Sequence, residues 1–357
     1  MKKKLTFLGI ETSCDETAAS IVKENEDGTA HILSSIVSSQ VKEHKKFGGV
    51  VPELAARAHV ENIDYIIELA LNKSKKTLND IDGIAVTAGP GLIVCLNVGV
   101  NIAKSISAFA KKPLIAVNHL EGHALSPNLT NNINFPYLLL LISGGHSQFL
   151  IVHGINNYIQ LGTTIDDALG EAFDKTSKML GYGYPGGPEI ERLAKKGDKD
   201  FFKLPEPIIN KAGCNLSFAG LKTAVLRETQ KIKNEEDKFN LAASFQETIN
   251  NILRKKTSVA IDQFKEKTKK ESGVIVIAGG VAANKSIRKN IDNLAKEKKF
   301  STLFPKIEYC GDNAAMIAWA GILRYKKKLY NDLNLKARSR WPLDLKAPYM
   351  KGPGLKL

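Results

Sequence analysis

A chain of 357 residues, 43% hydrophobic and 25% charged, has the make-up of a soluble globular protein with a large core divided into two lobes. Its four cysteines, Cys14, Cys95, Cys214 and Cys310, are far apart and form no CxxC, which argues against a disulfide framework and a cysteine-based zinc site. A formal charge of +14 suits a polyanion such as RNA, although much of the excess is lysine on solvated helix faces, as at 265–270 and 296–299.

Met1 and the three lysines after it resemble a secretory n-region. The apolar stretch 5–10 is too short for an h-region and Glu11 follows at once, so a cytoplasmic protein is expected. The best apolar run, 135–142, has strand length rather than bilayer-spanning length, so no membrane contact is expected. Residues 5–10 and 17–22 read as strands joined by the polar turn 11–16. An amphipathic helix is expected over 51–72, a strand over 83–87, a glycine turn at 88–91 and a helix over 98–110.

Residues 113–117 are apolar and β-prone, and open α/β sheets place ligands at the carboxyl edge of such strands. His119 and His123 follow directly. An i, i+4 pair projects from one helix face, so two imidazoles can reach one metal ion; the other reading is two surface or capping histidines. Glu121 gives the segment a passing likeness to the HExxH metallopeptidase motif. There the glutamate directly follows the first histidine, whereas Glu121 lies two residues on, roughly 200° around the helix. It points away from a shared ion, which disfavours peptidase chemistry.

Strand, small turn and strand recur at 137–142, 143–146 and 148–152, so two homologous lobes are expected, each opening with a hairpin. A helix over 165–180 should end at Gly181, and 182–188 should be a loop. A long helix over 241–264 precedes a buried strand at 274–278. Gly279 and Gly280 then turn into another helix, an arrangement that presents amides to an anion. The spacing is neither GxGxxG nor a P-loop. Asp312 opens a helix over 313–325, where it either caps the helix or supplies an oxygen to a His₂Asp site with open positions. Strands alternating with helices imply a mainly parallel α/β architecture, with lobes at 1–134 and 135–311 and a terminal helix and tail at 312–345 packing back on the first lobe.

Long motifs in order give the whole chain a family resemblance. They include Leu8-Gly-Ile-Glu-Thr-Ser-Cys-Asp-Glu-Thr17, Asn118-His-Leu-Glu-Gly-His123, Ser143-Gly-Gly-His146, Gly170-Glu-Ala-Phe-Asp-Lys175, Tyr184-Pro-Gly-Gly-Pro188, Ala278-Gly-Gly-Val-Ala-Ala-Asn284 and Arg338-Ser-Arg-Trp-Pro342. The sequence resembles the TsaD family, the tRNA N6-adenosine threonylcarbamoyltransferases formerly called O-sialoglycoprotein endopeptidases, and its bacterial branch in particular. The resemblance implies the two-lobed fold of actin, heat-shock ATPases and sugar kinases (the ASKHA fold), with a cleft between duplicated lobes. It implies His119, His123 and Asp312 as ligands of one divalent ion per subunit, iron(II) first and zinc second. It implies that Leu141, Ile142, Ser143, Gly144, Gly145, Asp174, Gly187 and Asn284 hold the adenylate substrate, with Glu191 where the family often has a ribose-binding aspartate. Val94 replaces a common glycine and Gly311 a frequent threonine.

The expected reaction moves the threonylcarbamoyl group from threonylcarbamoyl-AMP to N6 of the adenosine 3′ to the anticodon, in tRNAs reading codons that begin with adenine. Asp15 and Glu16 are candidates for the base. Expected partners are tRNA, a paralogous inactive TsaB-type protein and a small TsaE-type P-loop ATPase. The rival readings are a nucleotide-binding scaffold without chemistry, which has no use for His119 and His123, and a small-molecule kinase of the same fold.

Overall fold

The computed structural model describes residues 3–348; Met1 and Lys2 of the basic opening lie outside them. Contacts divide the chain into two units. The first holds 1–134, 154–157 and 306–345, so it includes 154–157 and 306–311, which the expected boundaries gave to the second lobe.

The first unit opens with β1 (Thr6–Glu11), β2 (Glu16–Glu24) and β3 (Ala30–Ser39), followed by α1 (Val41–Lys45) and α2 (Pro52–Ser74). It continues through β4 (Gly83–Gly89), α3 (Ile93–Ala110), β5 (Leu114–Asn118) and α4 (His119–Leu125). The sheet order is β3-β2-β1-β4-β5. The β1–β2 hairpin pairs Thr6 with Lys23 and Glu11 with Ala18, while β4 runs parallel to β1, and β5 to β4. The carboxyl ends of β1, β4 and β5 therefore share one edge. Every residue of β1, β4 and β5 is buried, as parallel strands covered on both faces require.

The second unit repeats the plan. It contains β6 (Tyr137–Ile142), β7 (Ser147–Gly154), β8 (Asn157–Thr163), α5 (Leu169–Met179), α6 (Gly186–Ala194), α7 (Ala219–Thr229) and α8 (Glu235–Thr268). Then come β9 (Gly273–Ala278), α9 (Lys285–Glu297) and β10 (Phe300–Leu303). Its order, read as β8-β7-β6-β9-β10, matches the first sheet strand for strand. The β6–β7 hairpin is antiparallel, and β9 is parallel to β6 and to β10. The duplicated mixed sheet is the ASKHA-type α/β fold. Its core is built from residues such as Leu138, Leu140, Phe149, Phe173, Phe245 and Ile277.

The chain then returns to the first unit with α10 (Ala314–Lys326). Glycine lets this helix lie directly on the sheet. A Cβ on Gly9 would stand 2.2 Å from the Ala314 carbonyl oxygen, and one on Gly321 would stand 2.4 Å from Ala85 Cβ.

Three local expectations are corrected. The helix expected from residue 165 starts at Leu169, because the Ile165 amide bonds to the Leu216 carbonyl and Asp166 accepts from the Phe218 amide. The loop expected over 182–188 ends early: Gly186, Gly187 and Pro188 form the first turn of α6, where a missing N–H costs nothing. Among the described helices, α3 is long and apolar enough to cross a bilayer by length and composition, although no apolar run was expected to be. Val94 lies in its first turn rather than in the preceding glycine turn.

Candidate metal centre and glycine turns

β5 ends at Asn118, whose side chain accepts the Leu120 amide at 2.9 Å and caps α4. The cap fixes the first turn, so His119 and His123 leave the same face, with ring centroids 4.8 Å apart and planes at 89°. Asp312 is not the cap of α10. Asn313 takes that role by accepting the Met316 amide at 3.0 Å, which leaves the Asp312 carboxylate for the histidines. Its Oδ1 lies 3.3 Å from His119 Nε2 and 3.0 Å from His123 Nε2.

Glu121 is directed elsewhere, as its place on the helix dictates. It forms a buried ion pair with Arg324 at 2.7 Å and accepts the Asn156 amide at 2.9 Å. The pair ties the ligand-bearing α4 to α10; removing one partner of such a pair costs about 3–5 kcal/mol. The glutamate between the two histidines therefore does not face the space their Nε2 atoms share.

One donor atom from each of His119, His123 and Asp312 lies within 4.8 Å of the others. Metal bonds of about 2.0–2.2 Å place neighbouring ligands roughly 3 Å apart, so the two Nε2–Oδ1 separations fit one ion. Two imidazoles and a carboxylate are also the donor set that iron(II) and zinc accept. His123 Nδ1 is buried without a hydrogen-bond partner.

Charges at this cluster act strongly on one another. Burial opposes ionisation of Asp312, but the adjoining His119 and His123 hold its carboxyl well below the usual range. Burial alone would lower His119; the carboxylates of Asp312 and Glu11 outweigh it and raise it well above the ordinary histidine value. Glu16 is pushed up to about 10 by burial and by the charges of Asp312 and Asp15. Cys14 is likewise raised by burial and by Asp15.

In the second unit, Ser143 starts the β6–β7 turn with its amide on the His146 carbonyl and its hydroxyl on the His146 amide. Gly144 and Gly145 are exposed, and a Cβ on either would meet nothing within 4 Å. A Cβ would likewise meet nothing within 4 Å at the half-buried Gly187 in the first turn of α6, or at the exposed Gly280, which opens the short turn Gly280–Ala283. These backbone faces can be approached closely by a ligand. Asp174 and Glu191 accept the amides of Gly186 and Lys285, at 2.6 and 3.1 Å. Asn284 caps α9 through Ile287, and its amide donates to Gln246. Leu141 and Ile142 are fully buried in the ladder and offer only backbone. A threonine side chain at Gly311 would meet no neighbour at its Cβ.

Sequence reasoning missed Glu11, Ser13, Thr87 and Arg324. A lone charged residue ending an otherwise apolar strand was the available signal for Glu11.

The profile of the tRNA N6-adenosine threonylcarbamoyltransferase (TsaD) family matches residues 31–319. The chain belongs to this family. It is 59% identical over 357 residues to the protein of that name from Pelagibacter ubique (strain HTCC1062), covering 100% of both chains. It is 50% identical over 358 residues to the one from Bartonella tribocorum, covering 98% of each. Among solved structures, full-length HypF in its phosphate- and nucleotide-bound form aligns with a TM-score of 0.58 at 12% identity, over 92% of this chain and 47% of that one. T.kodakarensis HypF gives 0.57 at 14% identity, over 91% and 48%. Those two likenesses concern the fold alone; the TsaD membership rests on the sequence.

Proposed function

We propose that this chain performs the reaction its family is named for, the transfer of a threonylcarbamoyl group to N6 of an adenosine in tRNA. The convergence of His119, His123 and Asp312, in a chain matching the family end to end, carries the reading. The nitrogen N6 bonds to the carbamoyl carbon of threonylcarbamoyl-AMP, the bond from that carbon to the adenylate oxygen breaks, and AMP leaves with the electron pair. The proton lost from N6 needs an acceptor, for which Asp15 and Glu16 are the candidates, and Glu16 is pushed up to about 10. The amides of Ser143, Gly144, Gly145 and Gly280 meet the charge growing on the phosphate, and Gly187 allows the nucleoside to come close. Asp174, Glu191 and Asn284 hold the helix starts that shape this pocket.

His119, His123 and Asp312 would hold one divalent ion, iron(II) by preference and zinc(II) otherwise, which supplies Lewis acidity when bound. The chain reads as a tRNA binder through its charge of +14, with phosphate contacts that position rather than select. A TsaB-type paralogue and a TsaE-type ATPase complete the cycle in the cytoplasm. The apolar residues Val60 and Tyr65 on α2, and Ile93 and Phe109 on α3, are exposed and suit the paralogue. The deciding experiment incubates the pure protein with synthetic threonylcarbamoyl-AMP and unmodified tRNA, with and without those partners. Appearance of the modified nucleoside with release of AMP is expected; AMP release without it, or neither under any combination, overturns the assignment.

A further inference from the structure

We propose that Glu11 is a positioning residue for the metal centre: its carboxylate fixes the orientation and tautomer of His119, so that Nε2 faces Asp312. The inference rests on the proposed metal centre and concerns a residue outside its ligand set. Glu11 ends β1 and is fully buried. Both its oxygens are tied down. Oε1 accepts the Ser13 amide at 2.5 Å, and Oε2 accepts the Thr87 hydroxyl at 2.5 Å and His119 Nδ1–H at 3.0 Å. Ser13 Oγ stands 3.2 Å from the same nitrogen, so the ring's far side faces two oxygens.

A nitrogen pointing at an ionised carboxylate carries its proton there. With Nδ1 committed to Glu11, the nitrogen the ring can offer an ion is Nε2, which is the atom lying 3.3 Å from Asp312 Oδ1. Three strand ends cooperate: Glu11 closes β1, Thr87 lies near the end of β4, and His119 follows β5. The rigid sheet edge, rather than the short helix α4, thus sets the ring's azimuth. His123 differs, because its Nδ1 is buried without a partner. The two rings are therefore unequal, His119 clamped from behind through Nδ1 and His123 with no hydrogen bond at that nitrogen.

The test titrates the full-length protein with Co(II) against a competing chelator, following the ligand-field absorption. Wild type, Glu11→Gln, Thr87→Val and the ligand variant His119→Ala are compared, each checked for folding by circular dichroism. We expect Glu11→Gln to weaken Co(II) binding about 10–100-fold and to alter the absorption envelope, with Thr87→Val in the same direction but smaller. Wild-type affinity and an unchanged spectrum in Glu11→Gln overturn the positioning role while leaving the metal centre intact. Failure of wild type to bind Co(II) more tightly than His119→Ala overturns both. Should Glu11→Gln not fold, nitrogen-15 spectra of Zn(II)-loaded wild type decide: a protonated His119 Nδ1 with a metal-bound Nε2 is expected, and the reverse assignment overturns the proposal.

Discussion

The same hairpin opens both units, yet its two turns are built from opposite materials. In the first, the connection between the paired Glu11 and Ala18 holds Asp15 and Glu16, is largely buried, and stands beside Asp312 through charge. In the second, the connection between Ile142 and Ser147 is Ser143, Gly144, Gly145 and His146, with both glycines exposed and no side chain to fill the space. A duplicated sheet thus offers side-chain carboxylates at one strand end and bare amides at the other. The first arrangement attracts cations and protons, the second anions. One scaffold can present two such surfaces because a hairpin turn can change length and composition without disturbing the ladder beneath it.

The largest break in that comparison comes from the cation side. In the His119→Ala, His123→Ala double variant, metal retention and transfer should both be abolished while the circular dichroism spectrum stays native. Elemental analysis showing full metal occupancy would refute the ligand set. On the anion side, Gly187→Val adds a side chain to a position with free space, so folding should be spared. Affinity for threonylcarbamoyl-AMP or ADP should nonetheless drop by about tenfold or more, a loss of roughly 1.4 kcal/mol that calorimetry resolves. Unchanged affinity would move the pocket elsewhere.

A smaller effect concerns what supports the acidic turn. His59 Nε2 lies 3.0 Å from the Cys14 carbonyl, to which it donates, and Nδ1 accepts the Thr17 hydroxyl at 2.7 Å. The Thr17 bond needs the neutral ring, whose Nδ1 is then an acceptor, and burial lowers its pKa from 6.5. The unfolded chain takes up this proton near pH 6.5 and the folded chain only at lower pH. Stability from this group is therefore full above that value and is lost as pH falls through the folded one. Melting temperatures measured from pH 7.5 to 5 should fall more steeply for wild type than for His59→Gln, and equal slopes would remove His59 from this role. The smallest effect is expected at Gly311. Gly311→Thr meets no neighbour at its Cβ and should leave melting temperature and metal affinity unchanged; a tenfold change in metal binding would show that the hydroxyl participates.

What the sequence made legible is what local periodicity encodes. The strands β1, β4, β5, β6 and β9 are apolar runs, α2 and α8 have amphipathic spacing, and the histidine pair is readable because four residues is one helical turn. What escaped depends on distant partners. The start of α5 is set by Leu216 and by the reach of Asp166 to Phe218, some fifty residues on. Whether Asp312 or Asn313 caps α10 turns on a one-residue choice that either side chain satisfies locally. The edge strand β3, half exposed and rich in serine, alternates too weakly to announce itself. Glu11 is the sharpest case, since its role follows from Thr87 and His119, which approach it only when three strand ends are aligned.

His123 and Asp312 are 189 residues apart in sequence. At about 5–20 residues per second of synthesis, the two imidazoles leave the ribosome roughly 10–40 s before their carboxylate partner is made. Throughout that interval the nascent chain carries an unfinished chelator, a histidine pair with no oxygen donor from α10. Such a pair ranks metals mainly by their intrinsic taste for nitrogen, which favours copper and zinc over iron. The carboxylate arrives only when α10 seats its backbone on Gly9, so this helix, in the proposed metal centre, would add the oxygen donor that oxygen-loving ions favour. In the proposed metal centre, an ion captured by the histidines before α10 is made would be held by nitrogen alone until that helix closes.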